Sequence, residues 1–188
     1  MEQTNPAIAV DQEPLNEKRV RQALVDAAVR FNSIFDVTEL LGSVRETSVA
    51  LLPAEAASVL LLDEENQEFV SELQQTRAPS RQGIAGWVLQ ERKPASVSDA
   101  SADPRFHEAL DGARGINAHA LIAVPLSVQG RSIGVLEIVN RRGGGAFSAG
   151  DVEIAAALGD LAAVAINNAR LYRKITEALV ESRGNFRL

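Results

Sequence analysis

From Ser148 to Ser182 apolar residues recur at Ile154, Leu158, Leu161 and Ala165, then less cleanly at Leu171, Ile175 and Leu179, close to a period of three and a half residues. Ser148, with Asp151 three positions on, has the form of a capping box, and Phe147 and Val152 occupy the staple positions around it. A helix continuous over this stretch is about 50 Å long at about 1.5 Å per residue, which exceeds the diameter of the domain it belongs to. Its outer half therefore needs something besides that domain's own core to pack on. The first helix of the chain and a second copy are the available partners, and the pattern predicts a homodimer formed through the N- and C-terminal helices.

The rest of the chain reads as alternating helices and hairpins. Residues 1–14 are mixed and polar, with Pro6 and Pro14, and are expected to be a flexible tail. Within 15–34, Val20, Leu24, Ala27, Ala28 and Phe31 follow helical spacing and predict an amphipathic helix. Asp36 as N-cap, with Glu39 three residues later and Phe35 and Leu40 in staple positions, starts a second helix that Pro53 ends near Leu52. Ala57 to Leu62 and Phe69 to Leu73 form a hairpin around Asp63-Glu64-Glu65-Asn66. Gln74 to Gln82 is polar, contains Pro79 and reads as a loop. A short helix is expected over Ala85 to Glu91 and an extended piece over Ala95 to Val97. Asp103 and Pro104, as N-cap and first helical residue, predict another short helix through Leu110. Two strands, Leu121 to Val128 and Ser132 to Val139, turn at Gln129-Gly130. Pro125 has no N–H to give a ladder, which predicts an edge or a bulge there.

Composition narrows the chemistry. The 188 residues are 46% apolar and 23% charged, enough for one soluble domain with extensions. A net charge of −6 supplies no basic field for a phosphate backbone, so no direct nucleic-acid partner is expected. The absence of cysteine excludes disulfides, thiolate metal sites, a cysteine nucleophile and thioether attachment of a bilin. The start of the chain lacks an export signal, and the stretch from Ile154 to Ile166, interrupted by Gly159 and Asp160, is too short to span a membrane. A cytoplasmic location is the expectation.

The middle of the chain carries a series of small devices. These are Gly83-Ile84-Ala85-Gly86-Trp87, Ala123-Val124-Pro125-Leu126, Gly134-Val135-Leu136-Glu137-Ile138-Val139-Asn140, and then Phe147 with Asp151. Together, and in the order of the elements above, they resemble the GAF domain, a small-ligand and signal-transmission module, over residues 36–172, with 173–188 extending the last helix. The resemblance implies an α+β fold: an antiparallel sheet of about five or six strands, with the N- and C-terminal helices on one face and a ligand cavity on the other. GAF domains that bind cyclic nucleotides carry Asn-Lys, a later Phe, and Asp-Glu. Here the matching residues are Asn140-Arg141, Phe147 and Asp151-Val152, so an Arg141–Asp151 pair can form but the pattern is incomplete. Staple and capping box already account for Phe147 and Asp151, and the four motif residues are expected to be structural.

No arrangement announces catalysis. His107 and His119 lack metal-ligand spacing, Gly83 and Gly86 are not followed by the lysine of a phosphate loop, and Ser98, Asp99 and His107 come with no nucleophile elbow. A methionine sulfoxide reductase of GAF fold is excluded in its cysteine mechanism. The resemblance offers Trp87, Val97, Asp99, Phe106 and His107 as cavity residues, with the ligand and any cofactor unspecified. It implies a regulatory protein that senses a small molecule, or transmits a partner's state, through dimer-forming terminal helices to a signalling partner or fused effector. The alternative is an adaptor whose GAF-like core is filled by its own side chains.

Overall fold

The computed structural model of the chain describes residues 12–71, 76–107, 111 and 116–185. Two helices, α1 (Gln12–Asn32) and α2 (Val37–Leu51), lead into strands β1 (Ala54–Asp63), β2 (Glu68–Ser71) and β3 (Thr76–Pro79). Helix α3 (Gly83–Glu91), strand β4 (Ala95–Val97) and a 3-10 turn at Ala100–Ala102 follow. Strands β5 (Leu121–Val128) and β6 (Arg131–Arg141) and helix α4 (Ala149–Asn185) complete the described chain. The six strands form one antiparallel sheet in the order β3-β2-β1-β6-β5-β4. The expected α+β architecture is thus the observed one.

Strand β6 is central and buried from Gly134 to Asn140, so its alternation feeds two cores. Leu136 and Ile138 join Leu61, Ile122, Val124 and Leu126 beneath α1, α2 and α4, where Phe31, Leu40, Leu41, Leu158 and Ile166 are wholly buried. Val135 and Val139 point the other way, toward Leu60, Phe69, Leu121 and the inner side of α3.

Both predicted N-caps form, the first by a single bond and the second as a full box. Asp36 accepts from Glu39 N at 2.8 Å. At α4 the box is reciprocal: Ser148 N donates to Asp151 at 2.7 Å, and Asp151 N donates to Ser148 Oγ at 3.2 Å. Phe35 does not tuck in beside Leu40; it is 57% exposed and its ring lies 4.8 Å from that of Tyr172 on α4.

Two further readings are corrected. The loop expected over Gln74 to Gln82 contains β3, whose residues complete a ladder with β2 from Glu68↔Pro79 to Ser71↔Thr76. Pro79 stands at the end of an edge strand, where a missing N–H costs little. The helix expected from Asp103 is absent from its described part: residues 103–107 form a turn, and the rest of that prediction lies largely outside the described residues. Asp103 spends its carboxylate on Arg105, accepting from N, Nε and Nη2 at 2.7–2.9 Å, while the helical turn lies just before it, capped by Asp99.

Candidate functional site

The sheet face turned away from the terminal helices is covered by α3 and the segment from Ser98 to His107, with Asp111 and Ile116 to His119 beside them. Two glycines let the start of α3 pack closely on Arg81 and Asp111. A Cβ on Gly86 would sit 2.6 Å from the Arg81 carbonyl carbon, and one on Gly83, which has φ +76°, would sit 2.7 Å from the Asp111 carboxylate. Gln82 offers the helix no side-chain cap. Asp111 takes that role, accepting from Ile84 N at 2.9 Å, Ala85 N at 3.1 Å and, from the neighbouring segment, His107 N at 2.7 Å. A carboxylate at the amino end of a helix is favoured by the exposed amides there.

Three of the five residues that the resemblance offers meet around one cluster. Val97 on β4 is buried in it, and Trp87 and Phe106 are half-buried and pack against it. The Arg105 guanidinium stands 4.7 Å from the centre of a Trp87 ring, held there by its double contact with Asp103. The Asp103 hydrogen bond raises Arg105 above its usual pKa and lowers Asp103 below its own. The other two residues point elsewhere. Asp99 is exposed and accepts from Ser101 Oγ at 2.6 Å and Ser101 N at 3.1 Å, and hydrogen bonding to Ser101 lowers its pKa. His107 is exposed and enters the network through its backbone N–H.

The four motif residues connect elements. Asn140 adopts φ +53° and is 7% exposed; its Oδ1 accepts from His119 N at 2.7 Å and Ala120 N at 3.2 Å. Its Nδ2 donates to Glu55 at 2.7 Å and Asn117 O at 2.8 Å. One amide thus ties the approach to β5 onto the first residues of β1. Arg141 reaches Asp151 at 4.0 Å, and Phe147 is buried in the helix-side core.

Reading the sequence did not single out Asp111 or Glu137. Glu137 is wholly buried on the α3 side of the sheet, where Ser58 Oγ donates to it at 3.1 Å. Its signal was present: a lone acid inside Val135 to Val139 occupies an inward position that a charge rarely takes without a partner. Asp111 left no such signal, because Leu110-Asp111-Gly112 reads as a loop end. Among the described residues no cluster of three His, Cys, Asp or Glu could hold a metal ion, and no helix is long and apolar enough to cross a membrane.

Known proteins share this architecture. A GAF domain from a phosphoenolpyruvate-protein phosphotransferase of Coxiella burnetii superposes with a TM-score of 0.72 at 22% identity, over 82% of this chain and 96% of that one. The free methionine-R-sulfoxide reductase of Neisseria meningitidis, in complex with its substrate, gives 0.70 at 20% identity, over 88% and 96%. These are likenesses of fold. A Caenorhabditis elegans protein named "Probable 3',5'-cyclic phosphodiesterase pde-5" is 23% identical over 178 residues, covering 85% of this chain and 24% of its own length. The chain spans about a quarter or less of the curated relatives it matches first. The GAF domain family model matches residues 36–166, and with the sheet, the glycine-marked α3 and the Asn140 to Asp151 segment in place, the chain belongs to the GAF domain family.

Proposed function

We propose that this GAF domain works in the cytoplasm as a homodimeric sensor, in which a small molecule or a partner's state at the α3 face alters how the terminal helices pack. The observation that carries the reading is the apolar stripe those helices leave uncovered. Helices α1 and α4 run in the same direction: Val20 and Leu24 line a groove with Ile154, and Asn168 lies 3.4 Å from Asn32. Val25, Val29 and Val164 stand outward on the paired part at 46–69% exposure. Beyond it α4 continues from Ala169 to Asn185, about 25 Å, with Leu171, Ile175 and Leu179 at 50–61% exposure. An apolar stripe on an otherwise charged helix is stabilised by burial, and a second copy provides a matching stripe. Because α4 also packs on β5 and β6, a shift of the sheet reaches the dimer seam through one rigid rod. Output then passes to a signalling partner or a fused effector.

Spin labels at the exposed Glu177 of each copy test this. Interhelical distances that change on addition of a ligand, identified by its retained mass in native mass spectrometry, support sensing; identical distances with and without it overturn the transmission step. One observation favours the second reading, an adaptor with a filled core: Leu60, Phe69, Ile84, Ala85, Val88, Val97, Leu121, Val135 and Val139 bury one another on the α3 face. A dimer mass with nothing added per subunit favours that adaptor.

A further inference from the structure

The turn from Asp103 to Phe106 is fixed at both ends. Phe106 N donates to Asp103 O at 3.0 Å, Pro104 fills the second position of the turn, and the Phe106 side chain packs against the apolar cluster under α3. Asp103 N donates in turn to Ala100 O at 3.2 Å. The Asp103 carboxylate is also held by the backbone: its Oδ1 accepts from Arg105 N at 2.9 Å, a bond that does not depend on the Arg105 side chain. Trp87 is carried by α3 and packs on the same cluster. A carboxylate and an aromatic ring are thus placed independently of the guanidinium that joins them.

What they hold is a planar cation. Arg105 gives Nε and Nη2 to the two Asp103 oxygens at 2.9 and 2.7 Å, and its Cζ stands 4.7 Å from the centre of a Trp87 ring. A flat fork of donors satisfies both oxygens while meeting a ring, which a compact ammonium cannot do at once. The Asp103 hydrogen bond, and after it the fields of Asp103 and Asp111, raise the Arg105 pKa against the opposing effect of burial. When Arg105 swings out, those two carboxylates remain, so an entering anion is repelled and an entering cation is not. The Arg105 side chain is 32% exposed, which places the guanidinium at the mouth of this face, within reach of solvent.

We propose that Trp87 and Asp103 form a seat for a planar cation of the guanidinium or amidinium class, with Arg105 as its internal occupant, displaced when such a ligand binds. The proposal rests on the reading that a ligand arrives at the α3 face, and it gives that ligand a charge and a shape. Arg105, tethered two residues from Asp103, competes at an effective concentration on the order of millimolar, so the chain inhibits its own seat until a ligand exceeds that value. Displacement parts the Arg105 guanidinium from α3, which links occupancy of the seat to the face the sensor reading invokes.

Trp87 is the sole tryptophan of the chain, so its fluorescence reads the seat directly. Arg105→Ala is titrated with benzamidine, a planar amidinium, and with benzoate, an anion of the same shape. A saturable change with benzamidine and none with benzoate is expected, at a concentration about tenfold or more below that needed in the wild type, where Arg105 competes. Adding Asp103→Asn to Arg105→Ala is expected to weaken benzamidine by about tenfold or more. No saturable change, an equal or stronger response to benzoate, or indifference to Asp103→Asn overturns the proposal. A measurement on the wild type alone stands beside these: the Arg105 Hε resonance should be displaced by the Trp87 ring current and should lose that displacement as benzamidine saturates. A resonance that stays put overturns the proposal even if the variants do not fold. The seat is read at Trp87 and Arg105 and the transmission step at Glu177, so either can fail without the other.

Discussion

Asn140 shows how much one side chain can hold. Its amide satisfies two N–H groups and two acceptors at the junction of β1, β5 and β6, and its backbone takes a left-handed conformation that asparagine tolerates better than most residues. Asn140→Ala removes the acceptor for both amides and puts at φ +53° a residue that tolerates the left-handed region less well than asparagine. A loss of about 3 kcal/mol in urea unfolding is expected, and Asn140→Gly should lose about 1 kcal/mol less because glycine relieves the backbone term. A second residue governs the acid limb. Asp63, in the β1–β2 turn, is lowered to a pKa of about 2 by the side chain and amide of Asn66 and by Arg77. A depressed carboxylate stabilises the fold above its unfolded value near about 3.9 and loses that contribution as pH falls through about 2. Asp63→Asn is expected to flatten the pH dependence of stability between about pH 4 and about pH 2, as followed by circular dichroism. Of the proposed site, Trp87, Val97 and Phe106 were legible through the family resemblance, and they meet at one apolar cluster. The contrary orientation of Asp99 and His107 was not, because it depends on a turn whose hydrogen bonds run to Ser101 and Asp111.

At the scale of elements, local chemistry was read well where it acts over three or four residues. The Ser148–Asp151 box is the clearest case, and Ser148→Ala is expected to cost about 1 kcal/mol in thermal or urea unfolding, with the loss confined to the start of α4 in hydrogen exchange. Strand β3 was missed because Thr76 to Pro79 has little strand character of its own; its conformation comes from the ladder offered by β2. Pro125 shows the reverse. Its awkwardness was legible, and its solution is tertiary: β4 pairs β5 from Leu121 to Ala123 only, so β5 is an edge at Pro125, and the register shifts at Leu126/Ser127.

For the whole molecule, the question is what the outer half of α4 packs against. If a second copy covers the stripe, Leu171→Glu together with Ile175→Glu places like charges in the seam. Sedimentation should then show monomers at concentrations where the wild type is dimeric. The fluorescence of Trp87, which lies on the opposite face of the sheet, should report an intact fold in both.

Periodicity, caps and turn residues act between neighbours in the chain, and they were sufficient for the four helices, for the strands other than β3, and for the length of α4. The position of Asp111 on the amides of α3 and the reach of Asn140 to Glu55 were decided by folding alone. They join residues 26 to 85 positions apart, and such pairs leave no local pattern because the fold, not the chain, brings them together.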